Sequence, residues 1–246
     1  MKLLVCISKA PDTTAKISFK DNNTVFNSDG VQYIINPYDE WYALVRALEI
    51  KETIGGHVTI IHAGPAENDV IIRKALAIGA DDAVRINMEA ADSLSIAEQI
   101  AAYAKSGAYD IVLTGKETID YNGSQLAGMI AEILGWPSIS LGTKMDLNGN
   151  VATVERDVQG GKEILEVNTP FVVSASKGMA EARIPNMRGI MAARTKPLTV
   201  VEPQGVTNYT KVKVYTLPAE KASCKYIDAE NPAELFQLLR NEAKVL

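Results

Sequence analysis

The chain has 246 residues, enough for one large α/β domain, or a domain with a substantial extension, and a full core in either case. Its formal charge of -5 and pI near 5.2 argue against a nucleic-acid binder, and no apolar run approaches the roughly 18 to 20 residues that span a bilayer. Cys6 and Cys224 build neither a disulfide framework nor a metal-ligand spacing, so a reducing, cytoplasmic setting is the default expectation.

The first run, Leu3–Ile7, follows Lys2 and lacks a small-residue cleavage site, so it reads as a buried strand rather than a signal segment. Further short β-rich runs fall at Val58–His62, Ala83–Ile86 and Ile111–Leu113. Between them lie helical faces: Trp41, Leu44, Val45 and Leu48; Ile72, Ala75, Leu76 and Gly79; Ala97, Ile100, Ala101 and Ala104; Leu126, Met129, Ile130 and Ile133. Strands alternating with amphipathic helices predict an α/β fold, a doubly wound, mostly parallel sheet covered on both faces.

After Pro137 the helices stop. Strand signals fill 138–176, broken at Asn148-Gly149-Asn150 and at Gly160-Gly161, which predicts a distal hairpin, and Phe171–Ala175 reads as another buried strand. From Met187 the spacing predicts an amphipathic helix with Ile190 and Met191 facing the core. Residues 198–229 are extended, and Asn231, Pro232 and Glu234 predict a capped closing helix. Residues 1–197 are therefore expected to form the α/β domain, and 198–246 an extended C-terminal arm with too few apolar residues for a core of its own.

The stretch Thr114–Gln125, between a strand and a helix, is the richest in chemistry. Ligands of an open parallel sheet sit beyond the C-terminal strand ends, and a helix N-terminus offers unpaired N–H groups to a phosphate. Thr118, Asn122, Ser124 and Gln125 supply polar groups, and Gly123 permits close backbone approach; the same composition also suits plain helix capping. Cys6-Ile7-Ser8, Asn36-Pro37-Tyr38-Asp39 and Ala63-Gly64-Pro65 mark neighbouring loop ends, with Cys6 equally suited to the core. GxxxxGK[ST], GxGxxG and GxSxG patterns are all missing from the expected places. His57 and His62 flank one strand without an evident acid or cysteine partner, and His57 is expected to face solvent. A nucleotide pocket without nucleophile, base or metal points to binding rather than turnover.

Several ordered blocks together resemble the β subunit of electron transfer flavoprotein over essentially the whole chain: LLVCISKAPDTTAKI, INPYDEWYALVRALEIKE, HAGPAENDVIIRKALAIGADDAVRI, GKETIDYNGSQLAGMIAEILGWPSIS, VERDVQGGKEILEVNTPFVV and EARIPNMRGIMAARTKPL. The resemblance implies a Rossmann-like, adenine-nucleotide-binding fold and a heterodimer whose α subunit holds most of the FAD. It implies an AMP site at Cys6, Asn36, Pro37, Tyr38, Asp39, Ala63, Gly115, Lys116, Glu117, Thr118, Ile119, Asp120, Tyr121, Asn122, Gly123, Ser124, Gln125 and Leu126. A segment from Glu181 through Lys196 is implied to recognise flavin-dependent dehydrogenases such as acyl-CoA dehydrogenase, as in fatty acid β-oxidation, through Arg183, Met187, Arg188, Ile190 and Met191. Met187 stands where the family places its apolar anchor, and Arg156 and Asp157 where it has a charged pair near the moving flavin domain.

The chain departs from the family pattern at Glu117, where a Gln is common, and at Tyr121-Asn122-Gly123, where an acidic run is common. It lacks the Asp-Gly-Asp-Thr of bifurcating members that bind a second FAD, which favours AMP. The recognition segment reads Ala180-Glu181-Ala182-Arg183-Ile184-Pro185 rather than Asn-x-Pro-Arg-Tyr. The alternatives are a stand-alone nucleotide enzyme, against which the missing phosphate loops count, and a nucleotide sensor similar to universal stress proteins, which would not need the hairpin or the arm.

Overall fold

Strand β1 (Lys2–Cys6) explains the architecture by itself. Leu3 and Val5 enter one core and Leu4 and Cys6 another, and all four are buried. Because side chains alternate along a strand, burying every one requires cover on both faces of the sheet. The computed structural model describes residues 1–89, 92–205, 207–221 and 223–246.

Short strands β2 (Lys9–Pro11), β3 (Phe19–Lys20), β4 (Val25–Phe26) and β5 (Tyr33–Ile35) follow, β2 pairing antiparallel with β5 and β3 with β4. The alternating part then runs α1 (Asp39–Ile54), β6 (His57–Ala63), α2 (Asp69–Ile78), β7 (Asp82–Ile86), α3 (Ser93–Gly107), β8 (Ile111–Gly115) and α4 (Leu126–Leu134). Beyond it lie β9 (Ser138–Asn148), β10 (Val151–Val158), β11 (Gly161–Asn168), β12 (Phe171–Ala175), α5 (Met187–Ala193), β13 (Leu198–Val201) and α6 (Pro232–Asn241).

The nine-stranded sheet has the order β11-β10-β9-β12-β8-β1-β6-β7-β13. Neighbours from β9 through β13 pair parallel, and β9-β10-β11 extend the sheet antiparallel, so the predicted doubly wound fold is present and the distal hairpin is continuous with its sheet. Helices α1 and α2 cover the core that takes Leu3, Val5 and Phe171; α3 and α4 cover the one that takes Leu4, Cys6 and Val172.

The predicted faces of α1, α2 and α3 are the buried ones, with Trp41 partly exposed at the start of its stripe. Helix α4 is rotated from expectation: Ala127, Ile130 and Ala131 are buried, whereas Ile133 is 43% exposed. The two alanines, one turn apart, let the helix backbone lie close to its neighbours, which larger side chains on that stripe would prevent.

Helix α5 is seated on α2. A methyl group at Gly189 would lie 2.3 Å from the Ala77 carbonyl oxygen, so only glycine fits there. Arg73 donates to the carbonyls of Ala193 (2.8 Å) and Lys196 (2.6 Å), while the Lys196 ammonium reaches the Leu76 and Ala80 carbonyls at the C-terminal end of α2.

The region expected to be an arm from residue 198 instead begins inside the sheet, because β13 pairs parallel with β7 and covers an edge that would otherwise be open. Asp92 then caps α3 by accepting the Ser95 N–H (2.9 Å) and also takes the N–H groups of Tyr209 (2.5 Å) and Thr210 (2.7 Å). These bonds, led by those from Ser95, hold its carboxyl far below the usual carboxylate range.

Packing divides the chain into one unit of residues 1–17 and 27–213 and another of 18–26 and 214–246. The second unit joins the β3-β4 hairpin to the chain end through a Phe19–Tyr215 ring stack at 4.6 Å and a Tyr215 N–H donated to the Asn23 carbonyl at 2.7 Å. Its helix α6 buries no residue. Pro232 occupies the first turn as expected, but the Asn231 side chain makes no backbone cap and instead donates to the Glu234 carboxylate at 3.3 Å.

The seat of α5 gives a test. Gly189→Ala should force α5 off α2 and destabilise the chain by about 1–3 kcal/mol, the usual range for overpacking. Chemical denaturation measures this, and a variant as stable as the parent would show that α5 has slack against α2.

Candidate functional site

Two neighbouring strands in this sheet are followed by connections that leave in opposite directions. From β1 the chain winds outward to β6 and β7; it then returns to β8 on the other side of β1 and continues through α4 to β9, with β12 later filling the place between β8 and β9. At such a reversal of strand order the loops diverge and leave a crevice beyond the C-terminal strand ends. Its walls are Cys6-Ile7-Ser8 at the end of β1 and Gly115-Lys116 at the end of β8.

The crevice is tied together by buried polar groups. Glu40, in the first turn of α1, has a carboxyl group that accepts the Ser8 N–H at 2.6 Å and lies 2.7 Å from the Ser8 hydroxyl. Burial pushes this carboxyl up to about 8, against the opposing effect of the Ser8 hydrogen bonds. Asn36 is fully buried and bridges to the next loop, donating to the Glu117 carbonyl (3.0 Å) and accepting the Ile119 N–H (2.9 Å). The Asn36 N–H also reaches the Ser8 carbonyl at 3.1 Å. Gly115 fits because a methyl there would meet Glu40 Cγ at 2.7 Å and the Glu40 amide nitrogen at 2.8 Å.

The loop that follows β8 is half-buried through Ile119 and exposed from Asp120 to Gln125. Asn122 and Ser124 take left-handed backbone angles on either side of Gly123, and the Asn122 N–H closes a turn on the Thr118 carbonyl at 2.9 Å. Gln125, the residue before α4, makes no side-chain cap to the helix start beside Leu126. Those N–H groups and the helix dipole suit an anion. A cavity of about 230 Å³ opens beside the loop, lined by Tyr38, Asp39, Tyr42, Lys116, Glu117 and Lys177 among others, including Pro37. Lys116 pairs with Glu117 at 2.9 Å, and burial raises the Asp39 carboxyl above its ordinary value.

The structure brings Asn36, Pro37, Tyr38, Asp39 and the stretch Gly115, Lys116, Glu117, Thr118, Ile119, Asp120, Tyr121, Asn122, Gly123, Ser124, Gln125, Leu126 to one end of the sheet. Ala63 closes β6, one strand further on beyond β1. Cys6 lies in the core at 4% exposure, with its thiol pushed up by burial and by Glu40, so it contributes a wall rather than a reactive sulfur. Ser8 stands at a strand end that the sequence marked, without a role assigned to it; Glu40, Tyr42 and Lys177 were not foreseen. Glu40 had a legible signal, since spacings of three, four and seven residues place it on the same α1 face as Ala43, Leu44 and Ala47, all buried.

His57 faces solvent and pairs with Asp82 at 2.9 Å. His62 is buried: its Nδ1 donates to the Ile7 carbonyl (2.9 Å), its Nε2 accepts from Asn68 (2.9 Å), and burial lowers its basicity. His62, on β6, thereby holds the residue that follows β1.

Residues 181–193 form a second candidate surface. Met187 is 73% exposed, and Ile190 and Met191 are also exposed, contrary to the expectation that these two face the core. Ala193 is the residue that α5 buries, because the close Gly189 contact turns the larger side chains outward. Ile184, also unforeseen, is 88% exposed. Arg183 forms a two-pronged pair with Glu52 (2.6 and 2.9 Å), so it fastens this segment to α1, whereas Arg188 lies exposed. Arg156 pairs across the β10-β11 ladder with Glu163 (2.7 Å); adjacent strand residues point oppositely, which leaves Asp157 on the other face.

The fold defines an open, doubly wound α/β protein with a crevice at its switch point. The electron transfer flavoprotein domain matches residues 23–205 of the chain. An electron transfer flavoprotein subunit beta of Bacillus subtilis is 37% identical over 260 residues, covering all of both chains. Those of Syntrophomonas wolfei and Homo sapiens are 34% and 30% identical over 250 and 253 residues, covering all of this chain and 98% and 99% of theirs. The chain belongs to the electron transfer flavoprotein family, on the side of its beta subunits, and its role is electron transport. No helix among the described residues is long and apolar enough to cross a membrane.

Asn36→Ala should leave the Glu117 carbonyl and the Ile119 N–H without their buried partner, at a cost of about 1–3 kcal/mol. Hydrogen exchange should show a faster Ile119 amide with β1 and β6 unchanged; an unaltered Ile119 amide would mean that the loop does not depend on Asn36.

Proposed function

We propose that the chain is the β subunit of a heterodimeric electron transfer flavoprotein that accepts electrons from flavin-dependent dehydrogenases, such as an acyl-CoA dehydrogenase, and passes them on to a redox acceptor. The flavin of a bound FAD, held mainly by the α subunit, supplies the redox chemistry. This chain contributes scaffold, a nucleotide seat and a docking surface, with no catalytic residue of its own.

The observation that carries this reading is the crevice beside β1 and β8 together with the start of α4, which the Gln125 side chain does not cap. Its residues fit AMP. The backbone of residues 123–126 offers N–H groups to a phosphate, and the left-handed residues flanking Gly123 bend the loop around it. Asn36 and Gly115 keep the loop pressed against α1. AMP is then structural, stabilising the folded chain by mass action. Denaturing the purified complex should release one AMP per heterodimer, whereas two FAD and no AMP would replace this reading with the bifurcating type.

The exposed cluster of Ile184, Met187, Ile190 and Met191 serves as the dehydrogenase anchor, with Arg188 giving a salt-sensitive attraction to an acidic partner. Methionine's flexible, polarizable side chain suits a surface that fits several partners. Burying one such anchor contributes roughly 1.5–3 kcal/mol. The second unit, with Leu235 and Phe236 exposed on α6, packs against the α subunit in this reading.

Met187→Ala should slow electron transfer from a cognate dehydrogenase about 10-fold or more, as truncation of a binding hot spot does, and leave nucleotide content and thermal stability unchanged. Unaltered transfer would remove Met187 from the docking surface. Deleting residues 214–246 should weaken pairing with the α subunit, and a truncated chain that pairs at full affinity would place the interface elsewhere.

A further inference from the structure

Glu40 stands apart from the other charged groups of the crevice. It is 6% exposed, and among the described residues no lysine, arginine or histidine lies within ion-pair distance of its carboxyl group. Its polar neighbours are the Ser8 N–H, which donates to Oε2, and the Ser8 hydroxyl, which faces Oε1 at 2.7 Å and can either donate or accept. Gly115, pressed against Glu40 Cγ, leaves no room for a bridging side chain.

The titratable groups that face it add no positive charge. Asp39 on the same helix and Asp120 on the nucleotide loop both disfavour a further negative charge there, and the Cys6 thiol on β1 stays neutral because burial, and then Glu40, disfavour its thiolate. Lys116 is directed to Asp39 and Glu117 instead. An uncompensated buried carboxylate is costly, whereas a neutral acid with a hydrogen-bonded hydroxyl partner is not.

We propose that Glu40 is a positioning residue of the nucleotide site that works as a neutral acid, bolting the end of β1 to the start of α1, and that its ionisation at alkaline pH loosens the bound nucleotide phosphate. This rests on the reading of the crevice as an adenine-nucleotide seat. Ionised, Glu40 would keep its Ser8 donors but add a buried negative charge that Asp39 and Asp120 both oppose, and that charge would equally oppose a phosphate held by the loop that carries Asp120.

The proton also has a ligand-independent signature. The folded chain holds it up to about 8 while the ordinary value is 4.5, so the stability that this group contributes is complete at low pH and is lost as pH rises across that interval. Glu40→Gln keeps the shape and the neutral charge but cannot ionise. Its melting temperature, measured on the purified complex, should therefore exceed the parent's by a margin that grows between pH ~5 and ~8 and then levels off.

The decisive experiment combines that comparison with dialysis of AMP from the complex between pH ~7 and ~9.5, where the phosphate is already fully charged. The parent should lose AMP about 10-fold faster at the alkaline end, E40Q should lose it at one slow rate throughout, and E40A should lose it rapidly at every pH. An E40Q complex that follows the parent's pH profile, or a parent with no pH dependence, would overturn the proposal. If the parent complex carries no AMP at all, the nucleotide reading fails, and the melting comparison still decides the state of Glu40: parallel curves for parent and E40Q would overturn the neutral acid.

Discussion

Two parallel strands whose following connections part in opposite directions leave their C-terminal ends uncovered, and at that opening backbone groups must find partners other than sheet neighbours. In this chain the opening lies between β1 and β8, and a small set of buried polar groups bridges it. Ser8 and Glu40 join β1 to α1, Asn36 joins the start of α1 to the loop after β8, and Gly115 lets those segments touch. Each contact replaces hydrogen bonds that water would otherwise supply. The crevice is thereby shaped before any ligand arrives, which lowers the ordering cost of binding.

The same sheet orients a second, independent surface. Helix α5 rests on α2 through a glycine too close to a carbonyl for any side chain, with Arg73 and Lys196 joining the two helices through backbone carbonyls. That seating spends the small residues, Gly189 and Ala193, inward and leaves Met187 and Met191 outward. In the proposed docking role, a short, firmly held helix with arginines nearby presents an apolar anchor without leaving a large exposed patch.

Much of this was legible in the residues. Continuous apolar runs announced the parallel strands, and helical spacing announced the faces of α1, α2 and α3, because both patterns follow from local backbone geometry. What remained hidden depends on distant partners. The outward turn of Ile190 and Met191 follows from the Gly189–Ala77 contact, more than 100 residues apart in sequence. The Arg156–Glu163 pair needed the ladder register, and β13 looked like an arm because its four residues acquire meaning only beside β7. Around the site, Asn36 and Gly115 were readable from the run of polar and small residues, while Glu40 carried its signal only in the spacing that places it on the buried face of α1.

The proposed nucleotide seat is decided by what occupies the crevice. A density map of the purified complex at a resolution that shows individual phosphate groups tests it most directly. A nucleotide whose phosphate lies against the backbone of residues 123–126, with Asn36 still bridging to Glu117 and Ile119, is the predicted result. A nucleotide bound away from the β1–β8 opening, with the start of α4 capped by protein groups instead, would contradict it.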